Sequence, residues 1–429
     1  MLGADGGSQT RTVRLGRDIR TNLIEFGGFR YYLFPDYLDW GVEPAERPLL
    51  QDFQPAMRQP VYGIAAGEFD YVTICTTNKC NTICKYCFRG FDMSERPSLD
   101  GRIFRDVADH FHERSTAQRT IQFTGGEIFV VPDFVDWLEY ARDKGFRLWL
   151  NSNGIDKRIA SDRRLHDIIG AGANAHIRIS LDGHTPELHE RFRKRGSFRQ
   201  VVRNIEALCR AGADVSVKSV LTPENFPYIE EMLEFVCSLG VSGWNYNVIR
   251  QTGAMAEIPP EAATIKCDEA IPYVTYLEIN RTLVDIVRRK PRLGPLLTIS
   301  RFGKDMDTLY SEVPHGLRMV PYFLNYDGNV YFTDDLLVPE YCRGNIFEDG
   351  MGAFNGFGEL VDKMDTNLPA CKRCPIHMFC FQKGNYGELY AIDQTLQSEF
   401  PNCDDIRAAF YFLLSQNGTG ADLYESMFP

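Results

Sequence analysis

A chain of 429 residues, 44% hydrophobic and 24% charged, has room for two or three domains and needs no disulfide staples. Its net charge of −11 argues against a general binder of phosphate backbones, so no nucleic acid partner is expected. No apolar stretch approaches the roughly 20 residues of a membrane crossing, and "MLGADGGSQTRTVRLGR" lacks the apolar centre of a secretory signal. The expectation is a cytoplasmic protein with no membrane partner, whose 12 cysteines bind metals or do chemistry.

Residues 1–69 read as an N-terminal extension. "FGGFRYYLFPDYLDW" is aromatic and broken by Pro and Gly, closer to hairpins than to a β/α unit. From 70 to 254 short β-like runs alternate with helical patterns. The strands are "YVTICTT" (71–77), "RTIQFT" (119–124), "RLWLNSN" (147–153), "HIRISLD" (176–182), "DVSVKSVL" (214–221) and "WNYNVI" (244–249). "PDFVDWLEYARDKG", "DRRLHDIIGAG", "FRQVVRNIEALCRAG" and "NFPYIEEMLEFVCSLG" lie between them, several ending in the glycine that stops a helix. Six such units predict an α/β fold with a parallel sheet, open or partly closed into a barrel, and active residues at the carboxyl ends of its strands. The rhythm breaks over 255–320, read as a connecting helical insertion around "NRTLVDIVRRK" and a linker-like "PRLGPLLT". Residues 321–429 begin with "YFLNYDGNVYFTDD", two β-like runs around Asp327–Gly328 that predict a hairpin. A cysteine-rich segment and a closing helix, "DDIRAAFYFLLSQ", follow.

"CNTICKYC" places Cys80, Cys84 and Cys87 directly after the first strand, at the carboxyl end of the sheet. Three is an odd number of thiols: a disulfide takes two, and a tetrahedral zinc site takes four. Three thiolates can hold three irons of a 4Fe–4S cube and leave the fourth iron open to an outside ligand. Zinc with a remote fourth ligand is the competing reading. "FTGGE" closes the second strand with Gly125, Gly126 and Glu127, where glycines admit close backbone approach and an acid can help hold an ammonium group. "NSNG" and "SLDG" end the next two strands. A basic cluster, Arg191, Arg193, Lys194, Arg195, Arg199 and Arg203, reads mostly as the solvated start of a helix, with one arginine available to a bound carboxylate.

The C-x3-C-x2-C loop with Tyr86, followed by GGE at the next strand end, resembles the signature of the radical S-adenosylmethionine (radical SAM) superfamily. The resemblance implies a partial (β/α)6 barrel that binds S-adenosylmethionine and a 4Fe–4S cluster on Cys80, Cys84 and Cys87, and makes a 5′-deoxyadenosyl radical. It implies contacts to that cofactor from Tyr86, Gly125, Gly126, Glu127, Asn151 and Ser180, from Arg193 at its carboxylate, and from Val220 and Leu221 along the adenine. For Val220 and Leu221, ordinary core packing is the alternative.

"CKRCPIHMFC" and a distant Cys403 resemble the C-terminal SPASM extension of peptide-modifying members, as do "DGNVYF", "YCRGNI" and "RKRGSFRQVVRNIEAL". That domain holds two auxiliary clusters, but here 313–319 lack a cysteine and Thr333 and Gly384 stand where two others belong. The expectation is one auxiliary 4Fe–4S cluster on Cys371, Cys374, Cys380 and Cys403, with zinc as the alternative and His377 beside rather than on the metal. Asp334 matches a catalytic base of relatives that oxidise peptides, with Asp335 as its competitor. Cys342 could instead donate a hydrogen atom, as in an epimerase, or ligate the auxiliary cluster.

The implied function is oxidation or cross-linking of a ribosomally made peptide. The alternative is a radical dehydrogenase or epimerase acting on a small molecule such as an aminoglycoside or nucleoside. A non-catalytic metal-binding scaffold is a third reading. Expected partners are the substrate, an electron donor such as flavodoxin or ferredoxin, and a separate peptide-recognition protein, since 1–69 do not read as a winged helix.

Overall fold

A computed structural model describes residues 71–87, 98–114, 119–248, 274–297, 322–331, 337–355, 403–405 and 409, together with the backbone of four N-terminal strands. These are β1 (Gln9–Leu15), β2 (Ile19–Phe26), β3 (Phe29–Phe34) and β4 (Asp39–Pro44). They form a separate antiparallel sheet in chain order, with Gln9 opposite Glu25 and Phe29 opposite Pro44.

The second sheet starts with β5 (Tyr71–Cys75), followed by α1 (Gly101–Arg114), β6 (Thr120–Thr124), α2 (Phe134–Asp143) and β7 (Arg147–Ser152). It continues through α3 (Arg158–Ser161), α4 (Arg163–Ile169), β8 (Ala175–Ser180), α5 (Pro186–His189) and α6 (Phe198–Arg210). Then come β9 (Asp214–Leu221), α7 (Ile229–Ser238) and β10 (Gly243–Val248). Strands β5 to β10 lie side by side in chain order and all parallel, as six β/α units require.

Residues alternate between buried and half-buried along β6, β7 and β8. Ile121, Phe123, Leu148, Leu150, Ile177 and Ile179 point into one core with the helices. In α1, Phe104, Val107, Ala108 and Phe111 recur at helical spacing and are all buried. Phe104 stacks on Trp137 of α2 with centroids 4.9 Å apart. Each such fully buried aromatic contributes about 2–3 kcal/mol of transfer free energy.

Helix α8 (Tyr276–Arg289) lies within the predicted insertion. The linker-like "PRLGPL" that follows is a 3-10 turn over Pro291–Leu296 that packs by Leu293 and Leu296. The predicted hairpin is present as β11 (Tyr322–Leu324) and β12 (Asn329–Tyr331), turning through Gly328 at φ +85°, and β13 (Cys342–Asn345) pairs with β12. The hairpin does not stand apart from the barrel. β11 lies parallel to β5, with Tyr322 opposite Val72 and Leu324 opposite Ile74, so the C-terminal region covers the edge that the first barrel strand leaves open. No helix among the described residues is long and apolar enough to cross a membrane.

Candidate functional site

The segment after β5 folds over the end of β6 by backbone hydrogen bonds. Thr76 N–H donates to Thr124 O (2.9 Å), Gly126 N–H to Thr77 O (2.8 Å) and Glu127 N–H to Lys79 O (2.9 Å). The approach leaves no room for side chains. A Cβ on Gly126 would sit 2.1 Å from the Lys79 carbonyl oxygen, and Gly125 combines φ +147° with Thr77 O 2.5 Å from its Cβ position. Glycines here therefore serve the seat of the cysteine loop itself.

Cys80, Cys84 and Cys87 are free and half-buried on that seat. Two of the sulfurs accept side-chain donors, with Asn153 Nδ2 3.5 Å from Cys80 Sγ and Arg193 Nη1 3.9 Å from Cys84 Sγ. Burial, aided by Glu127, pushes the Cys80 thiol up to about 12, and burial raises Cys84 against the opposing charge of Arg193. Both thiols are thus protonated at neutral pH in the metal-free chain, and metal ions must displace those protons to bind. No three His, Cys, Asp or Glu side chains among the described residues converge on a single-ion site. Three thiols on one loop, two of them meeting donors that suit sulfur acceptors, fit a cube that takes one thiolate per iron.

Two buried carboxylates flank the loop. On the β6/β7 side, Glu127 is 1% exposed and accepts Ser152 Oγ (2.8 Å), Asn153 N–H (2.7 Å) and Phe129 N–H (3.2 Å). Burial raises its carboxyl to about 7 despite these donors. The side chain expected at a cofactor ammonium group therefore braces the start of the next loop. Asn153, braced by Glu127, also donates to Asn81 Oδ1 (2.7 Å) and so grips the cysteine loop twice.

On the β8 side, Asp182 is fully buried and accepts hydrogen bonds from Tyr86 Oη, Arg193 Nε and Val220 N–H, the last at 2.9 Å. Arg193 lies over the Tyr86 ring, 5.4 Å from its centroid, while reaching Cys84. The arginine expected at a cofactor carboxylate also holds a buried carboxylate and a thiol of the cysteine loop. Asp182 N–H meets Nδ1 of His189 (3.2 Å), whose Nε2 faces Ser197 Oγ (3.1 Å); burial lowers this imidazole to about 4, so it is neutral.

Ser180 and Asn151 are half-buried on β8 and β7, with Asn151 opposite Arg178 and Ser180 opposite Lys218. Val220 is half-buried beside Asp182, whereas Leu221, 1% exposed, belongs to the hydrophobic core. Asp182 and Asn153 were the residues missed by sequence reasoning, although both stand inside the quoted "SLDG" and "NSNG". The signal was the motif; the letter that mattered lies past the strand end, where alternation no longer says which way a side chain points.

Cys342, on β13 opposite Tyr331, packs with Cys75, Phe323 and Tyr331 and donates to Gly344 O (3.5 Å). Cys403 opens a helical turn whose Asp405 accepts the N–H groups of Tyr276 (2.6 Å) and Leu277 (3.0 Å), capping α8. Thr333, Asp334, Asp335, Cys371, Cys374, His377, Cys380 and Gly384 lie outside the described residues.

Comparison with known proteins agrees with this geometry. Residues 74–236 match the Radical SAM superfamily. The chain is 30% identical over 190 residues to the AdoMet-dependent heme synthase of Oleidesulfovibrio alaskensis, covering 44% of this chain and 47% of that one. It is 27% identical over 236 residues to the antilisterial bacteriocin subtilosin biosynthesis protein AlbA of Bacillus subtilis, covering 52% and 50%. It is 28% identical over 158 residues to the mycofactocin maturase MftC of Mycobacterium ulcerans, covering 36% and 41%. The chain thus spans about half the length of the curated relatives it matches. Among solved structures, anSMEcpe with bound AdoMet and the Cp18Cys peptide shares the fold at TM-score 0.62 and 16% identity, over 83% of this chain and 99% of that one. Streptococcus suis SuiB bound to its precursor peptide SuiA does so at 0.59 and 12%, over 79% and 76%. The cysteine loop on its glycine seat lies within residues 74–236, the part of the chain that matches the Radical SAM superfamily.

Proposed function

We propose that the chain is a radical SAM oxidoreductase that modifies a ribosomally made peptide, by oxidation or cross-linking. The observation that carries the radical chemistry is the three-thiol loop seated by Gly125 and Gly126 and held from both flanks by Asn153 and Arg193. When bound, the 4Fe–4S cluster and S-adenosylmethionine supply a 5′-deoxyadenosyl radical that abstracts a substrate hydrogen atom. Cys80, Cys84 and Cys87 would hold the cluster. Asn153 and Arg193 orient two of the sulfurs. Ser180, Asn151 and Val220, at the carboxyl ends of their strands and half-buried, would line the cofactor.

The peptide reading draws on the relatives named for bacteriocin and mycofactocin maturation and on the fold shared with peptide-bound anSMEcpe and SuiB. In this reading Cys371, Cys374, Cys380 and Cys403 would hold one auxiliary 4Fe–4S cluster, which would supply an electron acceptor, and Asp334 would serve as the base toward the substrate. Cys342 is the competing hydrogen donor. An electron donor and a separate peptide-recognition protein complete the system.

Anaerobically reconstituted protein, given dithionite and S-adenosylmethionine, should release 5′-deoxyadenosine, and Cys84→Ala should abolish it. Its iron and sulfide should suffice for two cubes, falling to one when Cys374 and Cys380 are replaced by Ala. Deuterium passing from a labelled peptide into 5′-deoxyadenosine would establish the substrate class. Cys342→Ala that keeps its iron and its turnover would remove the hydrogen-donor role. Similarity to a heme synthase favours a second reading, a dehydrogenase or epimerase of a small molecule. Transfer from labelled small molecules but from no peptide would select it.

A further inference from the structure

The face of the parallel sheet turned away from the helices is cationic, in a chain whose net charge is −11. Leu148, Ile177, Ile179, Val215 and Val217 point into the helical core, so alternation sends Arg147, Trp149, His176, Arg178 and Lys218 to the opposite, inner face. Across β6 to β10 the one acid on that face is Asp214, at the amino end. His176 Nδ1 meets it at 2.9 Å, and that bond, with the charge of Arg147, holds its carboxyl below the usual range. Arg178 and Lys218 lie nearer the carboxyl end. Arg178 precedes Ser180 by two residues, about 7 Å, along β8, and Lys218 is directly opposite Ser180 on β9. The Arg178 guanidinium lies over the Trp149 ring, 5.0 Å from its centroid, and His176 meets the same ring edge-on at 5.2 Å. With the Asn247 amide turned to satisfy its neighbours, its oxygen accepts from Lys218 Nζ (3.1 Å). These contacts fix where two charges stand without cancelling them. The buried Trp149 Nε1 adds an N–H that meets no acceptor among the described residues.

We infer that Arg178 and Lys218, with the Trp149 N–H, form a subsite on the inner face for a carboxylate of the substrate. The inference rests on the radical SAM reading of the site and adds the chemical class of what that site acts on. Guanidinium, ammonium and indole N–H all donate and none accepts, so the three together select an acceptor. A carboxylate takes two parallel N–H bonds from a guanidinium and carries the opposite charge, whereas a neutral amide in the same seat offers no charge to either cation. Arg178 and Lys218 are half-buried, where attraction between charges exceeds its value in open water. An acid anchored one strand layer from Ser180 would also fix which substrate carbon faces the cofactor end of the sheet. The carboxylate can belong to an Asp or Glu side chain or to a chain terminus. The cofactor's own carboxylate is the competing occupant.

Equilibrium dialysis of the anaerobically reconstituted protein, saturated with S-adenosylmethionine, tests the subsite. The probes are N-acetyl-Gly-Glu-Gly amide, N-acetyl-Gly-Gln-Gly amide and N-acetyl-Gly-Gln-Gly acid. At least one acid should bind about tenfold or more tighter than the neutral amide, and which acid does so tells a side-chain carboxylate from a terminal one. Replacing both cations, Arg178→Gln with Lys218→Gln, should abolish that preference while iron content and S-adenosylmethionine affinity stay unchanged. Lys218→Arg should keep most of it. Equal binding of all three probes, or binding of none, overturns the inference, as does a preference that survives the double substitution. A parallel loss of S-adenosylmethionine affinity gives the two cations to the cofactor and overturns it as well. If the double variant loses iron, Lys218→Gln alone decides, and an undiminished preference overturns the inference. Failure of the parent protein to release 5′-deoxyadenosine with dithionite would instead defeat the radical SAM reading itself.

Discussion

The two flanks of the cysteine loop solve one problem in different ways. Each brings a buried carboxylate to a strand end and uses it to hold a residue that touches a thiol. Asp182 meets a cation, Arg193, and the ion pair is buried on both sides, with side chains 0% and 7% exposed. Glu127 meets only neutral donors, and its carboxyl is pushed up to about 7. The ion-paired flank is rigid and intolerant of losing a partner. The neutral flank responds to protons.

The largest effect should come from breaking the ionic flank. Asp182→Asn leaves Arg193 buried without its counter-charge and should cost about 3–5 kcal/mol in denaturant unfolding of the metal-free protein. Tyr86→Phe, which removes one donor to the same carboxylate, should cost only about 1 kcal/mol. Equal losses would show that Asp182 acts through packing and not through charge.

On the opposite flank the same measurement should depend on pH. The Glu127 carboxyl lies near 7 in the folded chain and at 4.5 ordinarily, so the folded state binds more protons between these values. Stability from this group is full below about pH 4.5 and is lost as pH rises through about 7, about 3 kcal/mol in all. Glu127→Gln should remove that slope. Its amide also sets a donor against the Asn153 N–H, lowering the baseline by about 1–3 kcal/mol. A slope that persists in the variant would assign it to another group.

The seat beneath both flanks should tolerate no side chain. Gly126→Ala drives a Cβ into the Lys79 carbonyl, and relaxation should cost about 1–3 kcal/mol and displace the loop. Iron retained after reconstitution should fall accordingly. Asn153→Ala is the gentlest change, about 1 kcal/mol through two lost donations to Cys80 and Asn81. It should shift the reduced cluster's spectrum and lower its reduction potential, because donors to the sulfurs favour the reduced form.

Much of this arrangement was legible beforehand, and unevenly so. All six barrel strands were read within two residues of their ends, because buried alternation and glycine stops are local signals. The thiols and the glycine pair were equally plain. Arg193 was singled out for a cofactor carboxylate, and the structure adds its contacts to Asp182 and Cys84, a pairing across 11 and 109 residues that no motif spells out. Glu127 was read beside a bound ammonium group, and the structure adds the donors of Phe129, Ser152 and Asn153 to its carboxylate.

From the sequence alone came the periodicity of the strands, the unequal cysteine spacing and the absence of side chains at 125 and 126. Each is a property of neighbouring residues, so each survives in a one-dimensional reading. Only the tertiary structure decided that β11 would pair with β5 some 250 residues away, that Asp405 would cap α8, and that the 190–195 segment would join the cysteine loop. Those choices depend on which open edge, which bare helix end and which carbonyl lie within reach once the sheet has formed. Burial then makes each of them costly to leave unsatisfied.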